Sequence, residues 1–214
     1  KTIQSGEGGV CITKDKDLHY RLALIRNHGE AVVEAAEYDD IINIAGFNYR
    51  MTELQAAVCR VQLNKLDGLN VERLKLVKQL NNGLRVFDFL VVPEERRDCE
   101  STYYVYPLKF LSEIAGIKRE QFVEAVNAEG INFFQGYVKP LYTQPVFQKK
   151  NLFKNGYPFS AIENKSCKME YNIGTCPNAE KLHFEQMIVN EHIRLPNTAN
   201  DINDIISAIK KVKG

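Results

Sequence analysis

Leu54, Val58, Val61, Leu66, Leu69, Leu74, Val77 and Leu80 recur at roughly helical spacing, and Asn81-Asn82-Gly83 closes the run. Thr52, followed three residues later by Gln55, has the form of a capping box, so a helix is expected to begin there. A helix of roughly thirty residues is longer than compact domains usually hold, and it suits a bridge between two of them. Gly68 inside the run costs about 1 kcal/mol relative to alanine and marks a place for a bend. The expected division is therefore residues 1–68 with the start of the linking helix, and residues 69–214 as a second domain.

The elements on either side are shorter. Gly8 to Thr13 is an apolar run after glycines, consistent with a buried strand. Leu18, Leu22 and Ile25 mark one face of a helix that Gly29 can stop, and a charged connection from Glu30 to Asp40 follows. Tyr103 to Leu108 and Ile131 to Phe134 read as strands, and Lys118 to Ala128 as a helix closed by Gly130. Gly136 to Cys176 looks like loops with short pieces of structure. Thr198 with Asp201 can cap a last helix carrying an Ile202, Ile205, Ile206 and Ile209 stripe. The whole reads as α/β.

Composition narrows the function classes. With 28 basic and 27 acidic side chains the formal charge is +1, which gives no electrostatic reason to expect nucleic acid or an anionic membrane. The apolar stretches are too short to cross a bilayer. Five scattered cysteines without a CxxC pair point to free thiols in a reducing compartment, and the four histidines lack metal-ligand spacing.

Chemistry concentrates first at Lys1-Thr2-Ile3-Gln4-Ser5-Gly6-Glu7-Gly8-Gly9. A lysine amine attacks carbonyls to form a Schiff base when burial or a nearby cation favours its neutral form. Glycines just after it allow a tight backbone path and close approach of a flat ligand. Taken alone, a lysine at a chain start is far more often a solvated terminus, and Gly-Glu-Gly-Gly is usually just a turn.

That motif, followed by an apolar strand, resembles the signature of the DegT–DnrJ–StrS family of sugar aminotransferases. Arg26-Asn27-His28-Gly29 resembles the family's Arg-x-His-Gly turn, and Gly46-Phe47-Asn48-Tyr49-Arg50-Met51-Thr52-Glu53-Leu54-Gln55-Ala56-Ala57 is close to its most recognisable block. Tyr137-Val138-Lys139-Pro140-Leu141-Tyr142-Thr143-Gln144-Pro145 resembles a loop that usually reads Tyr-Pro-x-Pro-Leu-His. Cys176-Pro177-Asn178-Ala179-Glu180-Lys181-Leu182 is similar to a segment of one branch.

The resemblance implies a fold-type-I transferase dependent on pyridoxal 5'-phosphate. This chain would hold the C-terminal part of the large αβα domain and a small α/β C-terminal domain, with Lys1 carrying the cofactor and shuttling a proton. Asn48 would reach the cofactor phosphate of a neighbouring subunit, with Arg50 beside it, so that a homodimer shares its active sites. Arg26 and His28 could support that interface, although a helix C-cap explains them equally. Tyr137 and Tyr142 would line the substrate pocket, with Tyr142 where a histidine is common; Tyr103, Tyr104 and Tyr106 fit core positions better.

The family also needs a phosphate-binding turn, a stacking aromatic and an acid before the lysine. The expectation is accordingly a fragment or separately numbered segment of a longer, cytoplasmic enzyme. The implied reaction moves an amino group from an amino-acid donor, by analogy glutamate, to a keto-sugar that is nucleotide-linked or phosphorylated. A regulatory or sensor protein that binds the cofactor without turnover is the alternative.

Overall fold

The computed structural model describes residues 1–29 and 44–213, so the charged connection expected over residues 30–40 lies outside them. The chain divides into two compact units, Lys1–Gly68 and Leu69–Gly214.

The first unit is built from two helices and the segments that lead into them. Helix α1, Lys16–Arg26, starts where the Asp15 carboxylate accepts the Leu18 N–H at 3.1 Å, a cap that satisfies one of the orphan donors of the first turn. It stops at a left-handed Gly29 (φ +78°), whose N–H returns to the Leu24 carbonyl at 2.8 Å. The apolar stripe is only partly used: Leu24 is buried, whereas Leu18 and Ile25 are exposed.

Helix α2, Glu53–Leu63, opens with the expected capping box between Thr52 and Gln55. The strand expected over Gly8 to Thr13 does not form, and Val10 and Ile12 are 78% and 91% exposed. A strand exists only through pairing, and none of the described segments pairs with this one.

The long helix is two. Helix α3, Leu66–Leu84, follows α2 after a break at Asn64 and Lys65, so the interruption falls before Gly68, and the helix runs through Asn81-Asn82-Gly83 instead of ending there. Gly83 belongs to its interior for a packing reason: a Cβ there would sit 2.2 Å from Ile206 Cδ1. The boundary between the units falls inside α3, after Gly68.

The second unit is an α/β sandwich. Strands β1 (Leu90–Val91), β2 (Tyr106–Phe110), β3 (Phe134–Gln135) and β4 (Met187–Asn190) form an antiparallel sheet in the order β1-β2-β4-β3. Tyr106 lies opposite Asn190, and Leu108 opposite Ile188. The two strands that sequence suggested for this unit are shifted toward the C-terminus, to 106–110 and 134–135, and β1 and β4 carry no pattern that announces them.

Between β2 and β3 come α4 (Ser112–Ala115) and α5 (Arg119–Ala128); the chain ends in α8 (Ala199–Lys213) after α6 (Pro145–Lys149) and α7 (Pro177–Lys181). The Asp201 carboxylate accepts both the N–H and the hydroxyl of Thr198 at 2.7 Å, as the sequence predicts for the last cap. The core joins one face of the sheet to α3, α5 and α8. Phe110 stacks on Phe122 with ring centroids 4.7 Å apart, Phe89 meets both edge-on, and Leu80, Ile202 and Ile209 are fully buried beside them.

Candidate active site

The loop that carries Asn48 and Arg50 is fastened to the end of α1 through a set of backbone hydrogen bonds. Phe47 N–H donates to the Ile25 carbonyl at 2.9 Å, His28 N–H to Phe47 at 3.0 Å, and Tyr49 N–H to Arg26 at 3.0 Å, which sets Asn48 opposite Asn27 in an antiparallel bridge. The Arg-Asn-His-Gly turn and the Gly-Phe-Asn-Tyr-Arg block are therefore two sides of one piece of structure. Glycine is required at 46, because a Cβ there would lie 2.1 Å from the Gly29 nitrogen and 2.4 Å from the His28 carbonyl carbon. His28 itself holds a left-handed φ of +62° to complete the turn. This gives Arg26-Asn27-His28-Gly29 a definite local role: the turn braces the Asn48 loop.

Asn48 and Arg50 are both exposed, and the Arg50 guanidinium donates to the Asn27 side-chain oxygen. Lys1 heads an irregular segment and is exposed as well. That segment approaches the same loop at Gly8, where an added Cβ would sit 2.5 Å from Met51 Cε. Lys1, Asn48 and Arg50 all belong to the first unit.

Tyr137 and Tyr142 belong to the second, on the segment that follows β3. The Tyr137 hydroxyl lies 3.4 Å from that of Tyr104, and this hydrogen bond, ahead of the Coulombic effect of the same neighbour, pushes its pKa upward. Tyr142 is half-buried in a short turn, Leu141–Thr143, and its hydroxyl donates to the Glu180 carboxylate. Burial first, and that carboxylate second, push the Tyr142 phenol up to about 12. Tyr103 and Tyr106 are core residues, as expected, and the Tyr106 hydroxyl donates to Asn81.

Sequence reasoning missed the residues that fix this segment. Gly136 is left-handed (φ +64°) and abuts the His183 ring, where a Cβ would meet Nδ1 at 2.8 Å. His183 sits in a π-helical turn, Leu182–Gln186, which the buried Arg119 braces by donating to the carbonyls of His183, Phe184 and Met187. Burial, then the positive charges of Arg119 and Lys139, hold the imidazole below its usual pKa. The Cys-Pro-Asn-Ala-Glu-Lys-Leu segment carried a visible signal for Glu180, but nothing in it named the partner.

Among the described residues no cluster of histidine, cysteine and acid could hold a metal ion, and no helix is long and apolar enough to cross a membrane.

A four-stranded antiparallel α/β unit, preceded by a lysine-led glycine segment packed toward an Asn–Arg loop, is the architecture of part of a fold-type-I transferase. A solved aminotransferase from Psychrobacter cryohalolentis has this fold, with a TM-score of 0.72 at 20% identity over 94% of this chain and 50% of its own. The model of the DegT/DnrJ/EryC1/StrS aminotransferase family matches residues 1–189, and the chain belongs to that family.

A Micromonospora echinospora protein named for L-glutamine:3-amino-2,3-dideoxy-scyllo-inosose aminotransferase activity is 28% identical over 100% of this chain and 50% of its own length. GDP-perosamine synthase of Caulobacter vibrioides is 26% identical over 99% of this chain and 50% of its own. The chain spans about half the length of these curated relatives.

Proposed function

We propose that the protein carrying this chain is a pyridoxal-phosphate-dependent aminotransferase, moving an amino group from an amino-acid donor, glutamate, to a nucleotide-linked or phosphorylated keto-sugar. The chain supplies the C-terminal half of each subunit of a cytoplasmic homodimer, and Asn48 serves the neighbouring subunit's cofactor. The observation that carries this reading is the family match over residues 1–189, which takes in the Lys1 motif and the Asn48 and Tyr142 blocks. The relatives named for transfer to an amino-inosose and for perosamine synthesis favour a sugar-like acceptor.

The side chains present fit the cofactor. Lys1 offers the primary amine that an aldehyde requires, and Arg50 and Asn48 offer a cation and an amide suited to a phosphate. The donation of the Arg50 guanidinium to the Asn27 side-chain oxygen supports that pairing, since it keeps the cation on the same loop as the Asn48 amide. When bound, pyridoxal phosphate supplies the electron sink for bond breaking at the carbon that bears nitrogen.

The chain's own residues do the rest. Lys1 would hold the cofactor through Nζ, and the same atom would carry a proton as base and then as acid. Arg50, oriented by Asn27, would hold the phosphate end together with Asn48. Tyr137 and Tyr142 present ring faces and hydroxyl oxygens to the sugar.

Borohydride reduction of the full-length protein with its cofactor should place the label on Lys1, and Lys1→Ala should abolish turnover. Normal turnover in that variant would end the proposal. Labelling at Lys1 with no amino transfer from glutamate would mark a regulatory member instead.

A further inference from the structure

The Tyr142 hydroxyl has one hydrogen bond to donate, and Glu180 accepts it. The Glu180 carboxylate is oriented independently of Tyr142, because the Gly174 N–H donates to its two oxygens at 2.8 and 2.9 Å and the Cys176 N–H donates at 3.3 Å. Tyr142 is also held at its backbone: Gln148 Nε2 donates to the Tyr142 carbonyl at 2.7 Å and to the Tyr171 carbonyl at 2.6 Å. Two side chains thus stitch the Leu141–Thr143 turn to the arm at residues 171–176, which holds the Tyr142 backbone and its acceptor in place on either side of the phenol. The hydrogen bond from Tyr142, with help from the Gly174 and Cys176 N–H groups, lowers the Glu180 pKa, which keeps it an anion and an acceptor at neutral pH.

A phenol whose proton is committed has only lone pairs left to offer. A ligand group meeting Tyr142 must then be a donor, such as a hydroxyl or an ammonium. A phosphate or carboxylate oxygen would face a lone pair backed by a negative charge, which repels it. A neutral imidazole, the group that family resemblance leads one to expect here, keeps both a donor and an acceptor.

We propose that Glu180 is a positioning residue that turns Tyr142 into a hydrogen-bond acceptor, so that this corner of the pocket selects the hydroxyl- or amino-bearing part of the substrate and turns away its anionic part. The substrate half of this inference rests on the aminotransferase reading; the pairing of the two side chains does not.

The test uses the full-length protein with Glu180→Ala, Tyr142→Phe, the double variant and Glu180→Gln. Each of the first two should raise KM for the keto-sugar about tenfold, the worth of one hydrogen bond, with kcat and the donor KM unchanged. The double variant should be no worse than either single, because Glu180 acts through Tyr142. Glu180→Gln retains a side-chain acceptor and should restore the wild-type KM. Additive losses, or a loss confined to kcat, would overturn the proposal.

Two readouts need no activity. Glu180→Ala should free the arm and speed tryptic cleavage after Lys165 and Lys168 several-fold. The wild-type minus Tyr142→Phe absorbance difference should show a phenolate forming near pH 12, moving down in Glu180→Ala. Unchanged cleavage and titration would overturn the pairing itself. A wild-type protein that transfers no amino group defeats the aminotransferase reading and the substrate selection with it, while these two measurements still decide the Glu180–Tyr142 contact.

Discussion

The two units treat the same kind of helix in opposite ways. In the second, α3 turns Leu76, Val77, Leu80 and Leu84 into a core shared with Phe110 and Phe122. In the first, α2 has no buried residue, and Leu54, Val58 and Val61 are 82%, 49% and 55% exposed. Both helices carry apolar residues at helical spacing. Periodicity says which side of a helix is apolar; it does not say what covers that side. An exposed apolar stretch of this kind, with Phe47 and Tyr49 also exposed on the preceding loop, is the sort of surface that another polypeptide buries. The proposed dimer gives it a use.

The contrast can be broken most decisively at the core. Phe110→Ala should cost about 3–5 kcal/mol in urea unfolding of the monomer, whereas Leu54→Ala, exposed in the monomer, should stay within about 0.5 kcal/mol. Comparable losses from the two would mean that the first unit holds a core of its own.

A smaller effect sharpens the difference between glycines that are needed and glycines that are not. Gly46→Ala drives a Cβ into the backbone of Gly29 and His28, which cannot yield as a side-chain tip can, and should cost about 1–3 kcal/mol. Amide exchange at Phe47 and Tyr49 should accelerate with it. Gly68→Ala meets nothing within 4 Å and should gain about 0.5–1 kcal/mol from helix propensity. A neutral Gly46→Ala would mean that the Asn48 loop is not braced as described.

The smallest effect is pH-dependent. Thr198, by its hydroxyl and N–H, holds the Asp201 carboxyl below the usual carboxylate range. A carboxylate depressed in the folded state adds stability that is complete above its unfolded pKa, about 3.9, and that disappears as pH falls through the depressed value. Asp201→Asn should therefore melt slightly below wild type at neutral pH and converge with it in acid. A constant gap in thermal melts from pH 7 to pH 2 would contradict the assignment.

Elements defined by neighbours in sequence were legible in advance. The Thr52–Gln55 and Thr198–Asp201 boxes and the stops at Gly29 and Gly130 follow from bonds that close within one turn, and all are present. Strand β4 was not legible. Three of its four residues are buried, so it lacks the alternation that betrays a strand with one wet face. The break at Asn64–Lys65 was not legible either, since both residues are compatible with helix and the apolar spacing continues across them. Of the candidate site, the Lys1 segment, the Asn48–Arg50 loop and the Tyr137–Tyr142 stretch could be singled out. What holds each of them could not.

By itself, then, the sequence determined local matters: helix starts and stops, the apolar sides, and the motifs that assign the family. Tertiary structure alone decided that Asn27 carries Arg50, that Gly46 must lack a side chain, that Ile206 claims the space beside Gly83, and that Glu180 accepts the hydrogen bond of the Tyr142 hydroxyl. Each of these joins residues separated by 17 to 123 positions, as the numbering gives. A chain can announce what a residue is able to bond, but only folding brings the partner within about 3 Å, where a hydrogen bond or a clash has any force.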